Sequence, residues 1–144
     1  MHDGQVPDVL TVHLLSTSAY AGFQWTIRVV AYPQLAEVPG PAFTTYLAAY
    51  QRRVTYLVGP LFAALLLTTA LVALDADVAT GGRALAVLLL GVVLGTTAFA
   101  AVPQHSRLSV GWDAAAHRRL LTADTVRVVA ATLDVGLALV LLSP

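Results

Sequence analysis

Cysteine and lysine are both missing from this chain of 144 residues. Without cysteine there is no disulfide, no thiolate metal site and no cysteine nucleophile. All eight basic side chains are arginine, which, with abundant Ala, Val, Leu and Gly, points to a GC-rich source genome rather than to a mechanism. Charge is scarce as well: 11% of the residues are charged, where a soluble domain carries about 25%. With 58% hydrophobic residues and a mean hydropathy of +0.76, the chain calls for a non-aqueous surrounding. Net charge is zero with no basic excess, which excludes nucleic acid as a partner. No phosphate-binding loop, dinucleotide fingerprint or serine nucleophile elbow is present. His13, His105 and His117 lack the spacing of a zinc motif, so no metal is predicted and no cofactor is favoured.

What is present is long apolar runs. A membrane span needs about 20 predominantly apolar residues. Four segments qualify: Val9 to Tyr32, Val54 to Leu74, Ala84 to Val102 and Val126 to Leu142. Pro33 and Pro103 are expected to close the first and third. The predicted fold is all-α, a single membrane domain over residues 1–144 built as a four-helix transmembrane bundle. Asp75 to Arg83, with Gly81-Gly82, reads as a tight turn. The first and third connections are longer. Pro39-Gly40-Pro41 breaks the first, after which Ala42 onward reads as helix running into the second span. In the third, Leu108, Trp112, Ala116 and Leu120 fall at helical spacing. Both read as short interfacial helices on the membrane surface. Gly91 and Gly95 form a GxxxG pattern that suits close packing within the bundle or dimerisation.

Arginine distribution sets the orientation. Arg52 and Arg53 flank the first connection, and Arg107, Arg118 and Arg119 lie in the third. The second has Arg83 against Asp75 and Asp77, and the N-terminus has Asp3 and Asp8. The positive-inside rule then places the first and third connections in the cytoplasm and both termini outside the plasma membrane. The start, Met1-His2-Asp3-Gly4, lacks the positive region of a signal peptide, and Gln24 and Arg28 mark the first apolar run as a mature helix.

Function is to be sought where the membrane holds costly groups. An ionisable side chain at the bilayer centre costs roughly 2.5–3.5 kcal/mol on insertion scales and faces the bundle interior or a wet cavity. His13, Thr17, Tyr20, Gln24 and Arg28 follow at steps of three or four, a stripe on one helix face. The fourth span offers Asp124, Arg127 and Asp134 as partners. Antiparallel packing pairs Arg28 with Asp124 near the cytoplasm and His13 with Asp134 further out. Asp134 would hold His13 in one tautomer or charge it. Such pairs either lock helices together or line a cavity. Five polar residues exceed what gluing two helices requires.

A second cluster sits at the cytoplasmic ends. Tyr46, Tyr50 and Arg53 share a helix face, and Gln104, His105, Trp112, Asp113 and His117 follow the third span. Headgroup anchoring explains Trp112, Arg118 and Arg119. His105, directly after the Pro103 break, suits either role.

The segments Gly22-Phe23-Gln24-Trp25-Thr26-Ile27-Arg28, Tyr32-Pro33 and Phe43 to Pro60 resemble a group of small bacterial four-helix membrane proteins, as does Val102-Pro103-Gln104-His105 with Gly111 to Leu120 and Arg127. More distantly they resemble the anthrone-oxygenase-like family, which implies oxidation or rearrangement of a polycyclic or other lipophilic intermediate, without a required cofactor. The first group often carries His at the positions of Ala31 and Tyr50, and Asn-Trp in place of Asp124-Thr125.

The function this predicts is a membrane enzyme acting on a lipophilic intermediate, polycyclic or terpenoid, by acid–base chemistry, as an oxygenase or a cyclase. His13 or His105 would serve as acid or base, with Asp134 and Arg28 orienting it or stabilising charge. Tyr20, Gln24, Trp25, Tyr46, Tyr50, Gln104, Trp112, Asp124 and Arg127 would contact substrate. The partners implied are the lipid bilayer and a lipophilic small molecule. The alternatives are a proton-coupled transporter working as a homodimer, or an accessory subunit of a membrane complex.

Overall fold

The structure, a computed structural model, describes residues 8–143; the readings made on Met1–Gly4 and on Asp3 lie outside them. Four long helices follow one another, and there is no strand among the described residues. We number them α1 (residues 9–35), α2 (Gly40–Leu74), α3 (Thr80–Leu108) and α4 (Ala114–Leu142). Helix α1 packs on α2 and α4, and α3 also packs on α2 and α4, so the four close into a ring of neighbours. By length and composition α2, α3 and α4 can each cross a membrane. Helix α1 is long enough but carries the polar stripe.

The helices run past the expected bounds. Helix α2 starts at Gly40, with Pro41 in its first turn, and continues unbroken through Pro60. Its 35 residues make it about 52 Å long. The segment expected as a separate first-connection helix is therefore its N-terminal part. The third connection holds no helix of its own either. Leu108 ends α3, Trp112 lies in the turn, and Ala116 and Leu120 belong to α4. Helical spacing was a false guide there because Gly111, at φ +153°, takes a backbone conformation that side chains rarely allow. Asp113 then caps α4, its carboxylate accepting from Ala115 N at 2.8 Å and Ala116 N at 3.0 Å. The Ala116 N–H foremost, and the Ala115 N–H and nearby arginines with it, hold this carboxyl below its ordinary pKa.

Pro33 and Pro103 do not end their helices. A proline inside an α-helix lacks a donor and clashes with the carbonyl four residues back. Both are preceded by a widened π segment, Ile27–Ala31 in α1 and Thr97–Ala101 in α3. There the Tyr32 N–H reaches back five residues to the Ile27 carbonyl, and the Val102 N–H to the Thr97 carbonyl. The extra residue makes room for the ring, and the helix continues to Leu35 and Leu108. The two sites match in sequence: Thr26, Ala31, Pro33 and Gln34 recur 70 positions on as Thr96, Ala101, Pro103 and Gln104. The chain is thus two helical hairpins, each opening with a helix interrupted in the same way.

The outward faces are apolar. Leu57, Leu67, Leu88, Phe99, Leu133 and Val140 are all more than half exposed, a surface suited to lipid. Hydroxyls on these faces bond back to their own helix, as Thr26, Thr55 and Thr125 do to the carbonyl four residues before. This is what a medium without water demands. Inside, apolar and polar layers alternate. One apolar layer (Leu35, Phe43, Leu47, Leu108, Leu120) lies by the turn between α3 and α4, and another (Leu65, Leu89, Val93, Ala131) lies in the middle. Gly82 lets α3 meet α4, since a Cβ there would come 2.7 Å from the Leu141 side chain. The GxxxG pair does no such packing: among the described residues no other helix comes within 4 Å of where a Cβ would stand on Gly91 or Gly95.

Candidate functional site

Two polar layers interrupt the core. In the first, His13 is fully buried on α1, with Nδ1 3.2 Å from Thr68 Oγ1 and Nε2 3.7 Å from Asp134 Oδ1. Thr68 donates its own proton to the Ala64 carbonyl at 2.9 Å, so it accepts from His13 Nδ1–H. The gap to Asp134 is too long for a hydrogen bond. The expected His13–Asp134 pairing is therefore present, but as a sealed contact. The void beside it, next to Thr17, Tyr20 and Asp134, has no room for a water-sized molecule. His13 and Asp134 do not share a cavity with His105.

The second layer is different. Arg127 donates to Asp124 Oδ1 at 2.6 Å and to Tyr32 Oη at 3.3 Å. Gln24 Nε2 donates to the same Asp124 oxygen at 3.3 Å. Tyr32 Oη lies 3.1 Å from His105 Nε2, and Gln51 Nε2 lies 3.3 Å from His105 Nδ1. Asp124, Arg127, Tyr32, His105 and Gln51 form one chain of hydrogen bonds across all four helices. With the Gln51 amide donating to Nδ1, His105 is the neutral tautomer that carries its proton on Nε2 and gives it to Tyr32. Tyr32 oxygen then accepts twice and keeps its own O–H free.

A pocket of about 230 Å³ opens directly over this chain. Its walls are Tyr50, Gln51, Val54, Val58 and Phe62 of α2 and Thr97, Ala101, Val102 and His105 of α3. Gln24, Ile27, Tyr32 and Arg127 form the floor. Thr55 and Val102, one from each wall, are exposed at the rim, so the mouth lies between α2 and α3. Most of the lining is apolar, with a few polar groups converging on one wall, the usual make-up of a small-molecule site.

Several expected site residues sit elsewhere. Arg28 does not reach Asp124; Arg127, one turn along on the same helix as that carboxylate, takes it. Arg28 Nε instead donates to Thr125 Oγ1 at 3.0 Å on the outer surface. The buried stripe of α1 runs His13, Thr17, Tyr20, Gln24 and Ile27, and across the π segment five residues on to Tyr32; its step from Gln24 is three residues, to Ile27, which leaves Arg28 beside the face. Trp25 is half exposed and donates to Thr132 Oγ1 at 3.2 Å. Tyr46 faces outward while Tyr50 turns into the pocket. Trp112 packs edge-on against Phe43 and over His117, bracing the turn, and His117 bonds the Tyr32 carbonyl at 2.8 Å. Gln104 lies outside the pocket lining, its Oε1 buried and unpartnered. Tyr20 is buried above the pocket against Phe62. Tyr32, Gln51 and Thr97 are site residues that the spacing argument passed over. The signal for Tyr32 was present in the repeated Ala-x-Pro-Gln, which marks the two interrupted turns.

Among the described residues, no group of three His, Asp or Glu side chains comes close enough to hold a metal ion. Compared with known protein families, curated proteins and solved structures, the chain matches none.

Proposed function

We propose that this is a small integral membrane enzyme, a transmembrane four-helix bundle, that converts a lipophilic metabolite by acid–base chemistry in the pocket between α2 and α3. The observation that carries the reading is the coincidence of a membrane-facing pocket with a continuous hydrogen-bond chain from Asp124 to Gln51. All four helices span the plasma membrane, and the polar stripe of α1 is tolerated because it is buried. Helix α2 exceeds the roughly 30 Å hydrocarbon core, so its first turns stand in the interface. Arg52, Arg53, Arg107, Arg118 and Arg119 gather at this end, which puts it in the cytoplasm and both termini outside. The pocket begins beside Arg52, at Tyr50 and Gln51, so substrate enters from the cytoplasmic leaflet.

Tyr32 is the proton donor to substrate. Arg127 stabilises the phenolate left behind, and His105 restores its proton through Nε2 while Nδ1, once the Gln51 amide turns away from it, takes the proton that substrate loses. A proton delivered to one substrate atom and lost from another is the balance of an isomerisation or cyclisation, which needs no co-reactant. The resemblance to the anthrone-oxygenase-like family supports a lipophilic substrate of this kind. His13 and Asp134, closed off from the pocket, lock α1 to α4.

The test compares lipophiles extracted from membranes carrying the native protein, Tyr32→Phe or His105→Asn. One compound should be consumed by the native protein and persist in both variants, with turnover lowered by about 10²-fold or more. Full conversion by both variants, equally well folded, would sink the proposal.

A further inference from the structure

Arg28 is a cation in an apolar place. Helix α1 rises about 40 Å against a hydrocarbon core of roughly 30 Å, so it overhangs the core by about 5 Å at each end. Arg28 stands about 10 Å of helix before Leu35, which puts its backbone inside the core. Trp25, Val29 and Val30 around it are all about half exposed, a lipid-facing surface. The ion pairs among the described residues are His13–Asp134 and Arg127–Asp124, so no carboxylate neutralises Arg28. Its Nε donates to Thr125 Oγ1 at 3.0 Å, which leaves both terminal nitrogens for another partner. Arg107, Arg118 and Arg119, by contrast, are exposed near the turn between α3 and α4, where water solvates them. An unpaired guanidinium at the depth of Arg28 is costly, and its long stem lets it reach toward the interface for an anion.

The groove that begins at Thr125 says what else that partner carries. About 310 Å³ of space lies on the outer face of α4, between its Val126, Val129 and Leu133 and the α3 side chains Leu89 and Val92. Thr125 is the lining residue of α4 nearest the α3–α4 turn, so it marks the cytoplasmic end of the groove. Its hydroxyl proton goes to the Leu121 carbonyl at 2.9 Å and its oxygen accepts from Arg28, so the lining offers no free hydroxyl. Such a trough takes hydrocarbon. A cation at its cytoplasmic end, with apolar walls running from there toward the middle of the membrane, has the layout of a phospholipid, head and tail.

We infer that the outer face of α4 binds one anionic glycerophospholipid of the cytoplasmic leaflet, its phosphate on the terminal nitrogens of Arg28 and an acyl chain between α4 and α3. The planar guanidinium meets a phosphate in two parallel hydrogen bonds, which fixes the headgroup as well as attracting it. Charge selects among headgroups. Arg28 brings one uncompensated positive charge, which a lipid of one net negative charge cancels and a zwitterionic lipid does not. The site shares no lining residue with the pocket between α2 and α3. It rests only on the bundle lying in a bilayer with this end cytoplasmic, as proposed above.

The probes are phosphatidylglycerol and phosphatidylcholine with the same acyl chains, added to the delipidated full chain in detergent. Bound lipid is counted by native mass spectrometry. The native protein should hold one phosphatidylglycerol at least about tenfold more tightly than phosphatidylcholine. Arg28→Gln should bring the two lipids level. Arg118→Gln combined with Arg119→Gln, which lowers the basic charge of the same end, should leave the preference in place. Val129→Trp, at an exposed position in the groove, should weaken both lipids, and it keeps the test decisive should Arg28→Gln fail to fold. Equal binding of the two lipids by the native protein overturns the headgroup assignment. A preference that survives Arg28→Gln overturns the site, as does one that vanishes with the Arg118 and Arg119 exchange. Unchanged phosphatidylglycerol binding in Val129→Trp takes the acyl chain out of the groove and sinks the proposal.

Discussion

Between α1 and α4, Trp25 and Arg28 reach across to Thr132 and Thr125, two hydrogen bonds that stitch the outer surface shut. Between α2 and α3, the side-chain hydrogen bond among the described residues is Gln51–His105, at one end of the pocket, and the rest of that depth is open. The two seams are otherwise built alike, since α1 and α3 carry the same interruption before the same Pro-Gln pair. Where α1 has Trp25 and Arg28, α3 has Gly95 and Ala98 at the matching positions, with nothing long enough to cross. The comparison teaches that a site can be made by leaving out the residues that close its twin.

The largest effect is expected where both seams share an anchor. Asp124→Ala leaves the Arg127 guanidinium buried without its counter-ion and takes the Gln24 acceptor away. Unfolding in detergent should become easier by about 3–5 kcal/mol, a loss visible as a large drop in the denaturation midpoint. Closing the open seam comes next. Val102→Trp at the exposed rim should weaken lipophile binding about tenfold while stability moves by no more than about 0.5 kcal/mol, checked by binding and denaturation on one preparation. Loosening the closed seam has a smaller effect: Trp25→Phe removes one hydrogen bond at the surface, about 1 kcal/mol, and should raise amide exchange locally in α1 and α4 without touching pocket binding. Equal effects of Val102→Trp and Trp25→Phe on binding would break the distinction between the seams.

The smallest effect concerns the cap of α4, away from both. The Asp113 carboxyl is held below its ordinary value, chiefly by the Ala116 N–H. A lowered folded-state pKa means the cap's contribution is complete above the ordinary carboxylate value, about 3.9, and is lost as pH falls through the lower folded one. The melting midpoint of the native protein should therefore decline between about pH 6 and about pH 3 more than that of Asp113→Asn, which caps without titrating.

The four helices could be read from hydropathy because their sequence is nearly unbroken apolar runs, as Leu85 to Leu94 shows. Their ends could not. Pro33 and Pro103 looked like stops because the rule for proline in an α-helix is right; the widened turns that evade it leave no mark in hydropathy. The His13–Asp134 pairing was legible because straight α-helix separates them from no interruption. Arg28 was misjudged because the stripe steps three residues from Gln24 to Ile27 rather than four, and Tyr32 was passed over because it lies beyond Ile27–Ala31, where a count of three or four residues per turn no longer applies. Arg127 took the place expected of Arg28 because a partner one turn away needs no long reach between helices.

A π segment is an α-helix that has been given one residue too many, and Tyr32 owes its direction to that surplus. Each residue turns a regular helix by about 100°, so winding Ile27–Ala31 as regular α-helix with no residue removed would swing the phenol out of the pocket, whereas deleting Val29 as well would leave Tyr32 four residues after Ile27 and on the same face. The reach of the hydroxyl is written as a length of chain. A change that straightens the segment at full length would find it, and a single deletion, which keeps Tyr32 on its face, would pass over it.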